Sequence, residues 1–148
     1  MRTDEQLRAV FNATFDELPE DVHISIEELW RDFKVEREVG GQPGRFRPSV
    51  LKQAVLSETP SLTGETNGLF FRFKSSVVDT APDDVLKILI AHELAHAARA
   101  AQRVQGLIPP QTTVDAEENA ANALQKDWGF GREELLLWLG ENIIALQI

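Results

Sequence analysis

The sequence predicts an α+β domain in which a small, mostly antiparallel sheet of about three strands packs on one long helix and further helices. Three observations carry this. Apolar residues recur at helical spacing near the N-terminus and again from Pro82 to the end. Between Lys34 and Phe73 the hydrophobic period shortens to two. The segments of period two are joined by short connections, which favour antiparallel pairing. At 148 residues the chain reads as a single domain, 1–148, long enough to bury a core without staples.

Thr3-Asp4-Glu5-Gln6 has the spacing of a capping box. Leu7, Val10, Phe11, Phe15 and Leu18 follow at helical period, so a first amphipathic helix runs to just before Pro19. Val22, Ile24 and Ile26 alternate as in a strand. Ser25 with Glu28 is a second capping signature, however, and Ile26, Leu29, Trp30 and Phe33 share a helical face, which favours a short second helix. His23 lies at its entrance. Val35, Arg37 and Val39 then alternate with polar residues, and Gly40-Gly41 and Gln42-Pro43-Gly44 punctuate the chain. A further strand is expected around Val50–Leu56, after an interruption at Pro48. Thr63 to Gly68 reads as a turn, and Leu69–Phe73 as a strand that Val77-Val78 extends.

Thr80-Ala81-Pro82-Asp83 opens the long helix, with a threonine cap, proline in the first turn, and Asp83 and Asp84 at the positive end of the dipole. It runs to about Gln105, where Gly106 and Pro109-Pro110 close it. Thr112 or Thr113 caps the next helix, which reaches Trp128 before Gly129. A last helix from about Arg132 carries Leu135, Leu136, Trp138, Leu139, Ile143 and Ile144, apolar on enough sides to be buried.

Composition narrows the function classes. The absence of cysteine excludes disulfides, thiolate metal sites and cysteine nucleophiles. A net charge of −9 and a pI near 4.8 argue against a nucleic-acid partner, because phosphate binding needs a basic face. Arg45, Arg47 and Lys52, with Arg72 and Lys74, form the only basic cluster and read as solvated strand and loop residues. The acidic start MRTDEQLRAVF lacks the apolar core of a signal peptide, and no run approaches 18 apolar residues. The expectation is a cytoplasmic protein with no membrane partner.

The chemistry lies in His92-Glu93-Leu94-Ala95-His96 on the long helix. Residues four apart share a helix face, with Cβ atoms roughly 5–6 Å apart. Two imidazoles so placed reach one Zn²⁺, and Glu93 beside the first is positioned to take a proton from a water that the ion activates. A carboxylate flanked by Ile88, Leu89, Ile90 and Leu94 is also unfavourable unless paired or bound to something.

A catalytic zinc takes three protein ligands. No histidine follows His96, so a downstream third ligand must be a carboxylate, and the next helix offers Asp115, Glu117 and Glu118. Val114, Ala121, Leu124 and Trp128 mark that helix's packed face. Glu118 lies beside this stripe and Glu117 is turned about 100° from Glu118, which ranks Glu118 first and leaves Asp115 and Glu117 open.

HELAH followed by Glu118-Asn119-Ala120-Ala121-Asn122 resembles the gluzincin metallopeptidases, HExxH on one helix and ExxA[N/D] on the next; in size the chain is most similar to the minigluzincins. The resemblance covers roughly Leu69 to Phe130, and it implies a minimal zincin-like domain. It further implies His92, His96 and Glu118 as Zn²⁺ ligands and Glu93 as general base. Asn122 would be hydrogen-bonded to the first histidine, and Leu69–Phe73 would be an edge strand that aligns an extended substrate. The activity it implies is zinc-dependent hydrolysis of peptide bonds in a peptide or protein substrate. The larger members stabilise the oxyanion with a later His, sometimes with Tyr. This chain has no Tyr and no later His, which implies weak activity. Arg99 and Arg103, seven residues beyond the two histidines, are the candidate substitutes. Two rival readings remain: a zinc-binding regulatory or interaction module with little catalysis, and a structural protein without metal.

Overall fold

The structure is a computed structural model and describes residues 2–29, 32–37, 54–60 and 66–146. Helix α1 (Asp4–Asp16) is capped by the reciprocal Thr3–Gln6 pair: the Gln6 N–H donates to Thr3 Oγ1 at 3.1 Å and the Thr3 N–H to Gln6 Oε1 at 2.8 Å. Its stripe buries Leu7 and Phe11. Helix α2 (Glu20–Leu29) starts directly after Pro19, ahead of the Ser25–Glu28 signature, because Glu20 and Asp21 supply the acidic first turn. Val22 and Ile26 enter the core while Ile24 stays half exposed. Trp30, expected on this helix, lies outside the described residues, and Phe33 belongs to a strand.

The α+β expectation with its mostly antiparallel sheet is overturned. Helices dominate the described residues, six in number, and the strand patch is small. β1 (Asp32–Arg37) pairs parallel with β3 (Thr66–Phe73), Phe33 opposite Leu69 and Arg37 opposite Phe73. β2 (Ala54–Pro60) runs antiparallel to β3, and the order is β1-β3-β2. The error was to pair neighbours in sequence: β1 and β3 are joined by a crossover long enough for parallel pairing, with β2 inside it. β3 is therefore central, paired on both sides, and not the substrate-aligning edge strand the resemblance implied. The turns at 40–44, Pro48, the basic residues Arg45, Arg47 and Lys52, and residues 63–65 lie outside the described residues.

Val77-Val78 does not extend β3. Both are fully buried in α3 (Ser75–Thr80), a single short helix that turns the chain from the sheet into the long helix. α4 (Asp83–Val104) opens on Pro82 without a side-chain cap; the Thr80 hydroxyl donates back to the Ser76 carbonyl instead. α4 packs against α1, α2, α5 (Val114–Asp127), α6 (Glu133–Leu146) and β2. Fully buried Ala91, Ala95, Ala97, Ala98 and Ala101 let neighbouring backbones approach it closely. Phe71 and Phe73 of β3, also fully buried, join this core, and Phe71 meets Phe11 with ring centroids 4.8 Å apart.

Two glycines stop the helices that carry the candidate site. Gly106 (φ +75°) ends α4 with the Leu107 N–H on the Gln102 carbonyl at 2.8 Å. Gly129 (φ +93°) ends α5 with the Phe130 N–H on the Gln125 carbonyl at 3.0 Å. Both are left-handed positions that a side chain would strain. Thr113 caps α5, accepting the Ala116 N–H at 3.0 Å. α6 buries Leu135 but exposes Leu136 and Leu137, so it is less enclosed than its composition implied. Among the described residues no helix is long and apolar enough to cross a membrane.

Candidate metal centre

α4 and α5 pack side by side and bring His92, His96 and Glu118 together as a group that can hold a metal ion. His92 Nε2 lies 3.2 Å from His96 Nε2, and the Glu118 carboxylate reaches both, Oε2 to His92 Nε2 at 3.0 Å and Oε1 to His96 Nε2 at 3.1 Å. Tetrahedral ligands about 2.0–2.1 Å from one ion stand about 3.3 Å apart, close to these three separations between the groups. The imidazoles are mostly covered, whereas the Glu118 side chain is 48% exposed, so one side of the group is open to solvent.

The hydrogen bonds behind the imidazoles decide what the front atoms can do. Gln125, fully buried on α5, donates from Nε2 to the Phe130 carbonyl at 2.8 Å, which turns its Oε1 toward His92 Nδ1 at 3.0 Å. That oxygen only accepts, so His92 carries its proton on Nδ1 and presents a lone pair at Nε2. Glu117 Oε1 stands 3.3 Å from His96 Nδ1 and, as a carboxylate oxygen, likewise requires the proton on Nδ1. Two nitrogen lone pairs and a carboxylate thus converge with no donor among them. Such an arrangement is repulsive unless a proton or a cation sits between the groups, and the donor set of two imidazoles and one carboxylate is that of catalytic zinc sites.

Electrostatics agrees. Burial, and then the facing His96, lower the pKa of His92 against the opposing pull of Glu118 and Gln125, which favours the neutral form that ligates metal. For Glu117, burial pushes the pKa up, but Arg103, Arg99 and His96 outweigh it and hold the carboxylate below its ordinary range.

The remaining expected residues fall as follows. Glu93 is buried on α4 beside His92. Asn122 is not hydrogen-bonded to His92; its Oδ1 is buried with no partner among the described residues, and Gln125 takes the role expected of it. Arg99 and Arg103 are not free to meet an oxyanion, because both bond the Glu117 carboxylate, Arg99 Nε at 3.1 and 3.2 Å. Glu117 is thereby the buried anchor of His96 rather than the third ligand, and Asp115 is not in the group. Gln125 was missed, although at seven residues past Glu118 it lies on the same helix face. His23 stacks on Phe15 with centroids 4.2 Å apart, away from the group.

Comparison with protein-family models, curated proteins and solved structures gave no match.

Proposed function

We propose that the chain is a zinc-dependent metallopeptidase of the gluzincin type, hydrolysing peptide bonds with Glu93 as general base. One observation carries the reading: two imidazole nitrogens on one helix and a carboxylate on the next converge, each pair of groups approaching within 3.2 Å, each imidazole with its proton drawn to the far side, next to a buried glutamate in HExxH register. Zn²⁺, when bound, lowers the pKa of a water toward 7 and polarises the scissile carbonyl. His92, His96 and Glu118 hold the ion, and Gln125 and Glu117 keep the Nε2 lone pairs aimed at it. The Glu93 carboxylate takes the proton of the attacking water and delivers it to the leaving amine nitrogen. Hard-cation sites for Mg²⁺ or Ca²⁺ use oxygen ligands, so a pair of imidazoles favours zinc.

The test is metal analysis of untagged protein together with cleavage of a fluorogenic peptide library. One zinc per chain, with cleavage lost and zinc kept in Glu93→Gln, is the expected result. A Glu93→Gln protein that cleaves as well as the wild type overturns the mechanism. A second reading, a zinc-binding regulatory module, is favoured by the commitment of Arg99 and Arg103 to Glu117 in a chain without tyrosine. Zinc binding without cleavage of any unfolded-protein panel selects it.

A further inference from the structure

We infer that a groove at the α4–α5 connection binds an extended polypeptide stretch with apolar side chains and a basic neighbour, about three residues from the bond cut at the metal centre. The distance from the cut rests on the metallopeptidase reading; the groove does not. Arg103, Val104, Leu107, Ile108, Pro109 and Pro110 line an open cavity of about 760 Å³. Six large apolar side chains are markedly exposed among the described residues, and three of them flank this connection: Val104 and Leu107 at 68% each and Val114 at 70%. Single apolar residues on a surface need no explanation, but a cluster around a cavity marks a binding surface.

The groove is built before anything enters it. Gly106, in the left-handed region, folds the chain back over the last turn of α4, where the Gly106 and Leu107 N–H groups reach the Arg103 and Gln102 carbonyls at 3.0 and 2.8 Å. Pro109 and Pro110 fix two further φ angles. A stiff apolar surface loses little conformational entropy when a ligand covers it. It also continues the open side of the metal centre. α4 and α5 run antiparallel, since His92 meets Gln125 while Arg103 meets Glu117. Arg103 is seven residues past His96 on the same α4 face, a rise of about 10 Å or roughly three residues of extended peptide. On α5, Val114 lies one turn before Glu118, so the exposed face that carries Glu118 at the centre carries an exposed apolar side chain toward the groove.

Charge selects the occupant. Arg103 is the only cation of the lining and is neutralised by Glu117, whereas Asp115 and Glu118 stand exposed in the first turns of α5. In a chain of net charge −9, that rim favours a lysine or arginine next to the apolar residues and disfavours an acidic peptide.

The experiment is a titration of isotope-labelled, zinc-supplemented Glu93→Gln protein with acetyl-Ala-Leu-Leu-Lys-Ala-amide, followed by backbone amide NMR shifts. Amides of residues 103–108 and 111–115 are expected to move together. Replacing Leu-Leu by Ser-Ser should weaken binding about tenfold or more, and Lys by Glu about threefold. Leu107→Ser should weaken the leucine peptide about tenfold, while Leu136→Ser, an exposed position on α6, leaves it unchanged. Absence of saturable shifts, shifts centred on α6, or an acidic peptide that binds as well overturns the inference. So does binding undiminished in both Leu107→Ser and Val104→Ser. Shifts of the same amides on dilution without peptide would assign the groove to a second copy of this chain and overturn it too. A cleavage assay with Glu93 intact separates the groove from the peptidase. Leu-Leu-Lys is moved stepwise along a blocked dodecapeptide of Ala, Gly and Phe, and the cut bond is found by mass spectrometry. Cuts are expected about three residues from the cluster, with KM raised about tenfold in Leu107→Ser. Cuts at random distances overturn the link between groove and centre; binding without any cleavage upholds the groove and removes the peptidase.

Discussion

His92 and His96 stand one turn apart on α4 and face the same point, yet they are held from behind by opposite means. Behind His92 is a neutral, fully buried amide whose other end is fastened to the Phe130 backbone carbonyl. Behind His96 is a carboxylate gripped by two arginines whose side chains are about one-fifth exposed. Both devices place the imidazole proton on Nδ1. A neutral clamp does so without responding to salt; an ionic clamp does so more strongly but is open to screening and to protonation. One imidazole has a fixed setting, the other an adjustable one.

The largest effect comes from removing what the two histidines share. Glu118→Ala, or loss of one imidazole in His96→Ala, is expected to abolish stoichiometric zinc binding, read by metal analysis after dialysis against a weak chelator. Retention of one zinc per chain in Glu118→Ala would dismiss the convergent group as the metal centre.

Removing one clamp at a time sharpens the contrast. Gln125→Leu leaves the His92 Nδ1–H and the Phe130 carbonyl without partners and frees the ring to rotate. Zinc affinity should drop about 10–100-fold, at any salt concentration, with stability lowered by about 1–3 kcal/mol. Glu117→Gln keeps an acceptor near His96 but strips two partly buried arginines of their counter-charge. Its loss of zinc affinity should lie toward the lower end of the same range, and raising salt to about 1 M should narrow the gap between this variant and the wild type. Competition with a fluorescent chelator measures both. If salt affects Gln125→Leu and Glu117→Gln alike, the distinction between neutral and ionic support is wrong.

These residues also mark where the sequence was readable. HExxH spacing is a local property of a helix, so His92, His96 and the position of Glu118 on the next helix followed from periodicity and caps; Thr113, Gly106 and Gly129 bound the helices as their types dictate. The orientation of α5 did not follow. Its apolar residues pointed to Val114 as part of the packed face, yet Val114 is 70% exposed and the buried set is Glu117, Ala121 and Gln125. An apolar stripe finds a buried face only where that face is apolar. Here two of the three buried residues are polar, answered by Arg99, Arg103, His96, His92 and a backbone carbonyl, which is how a built site defeats pattern reading. The parallel β1–β3 pairing was hidden for a different reason, since strand partners are chosen by non-local contacts that alternation alone does not specify.

The smallest expected effect is in the pH dependence of the metal-free protein, and it separates the same two regions. Folding lowers the pKa of His92 below its ordinary value of 6.5, so between 6.5 and the folded value the unfolded chain binds the extra proton and stability falls as pH falls. Folding also lowers the pKa of Glu117 below its ordinary 4.5, which adds a second decline beginning near that pH and continuing as the folded carboxylate protonates. Urea unfolding across pH 7 to 3 should show His92→Gln losing the upper decline and Glu117→Gln the lower. Because burial is the leading cause at His92, its decline should persist in high salt. The lower one depends on arginines winning against burial, so salt should shrink it. Curves for His92→Gln that run parallel to the wild type from pH 7 downward would mean that the imidazole is not held neutral by the fold, and with that the fixed setting of the first histidine would be lost.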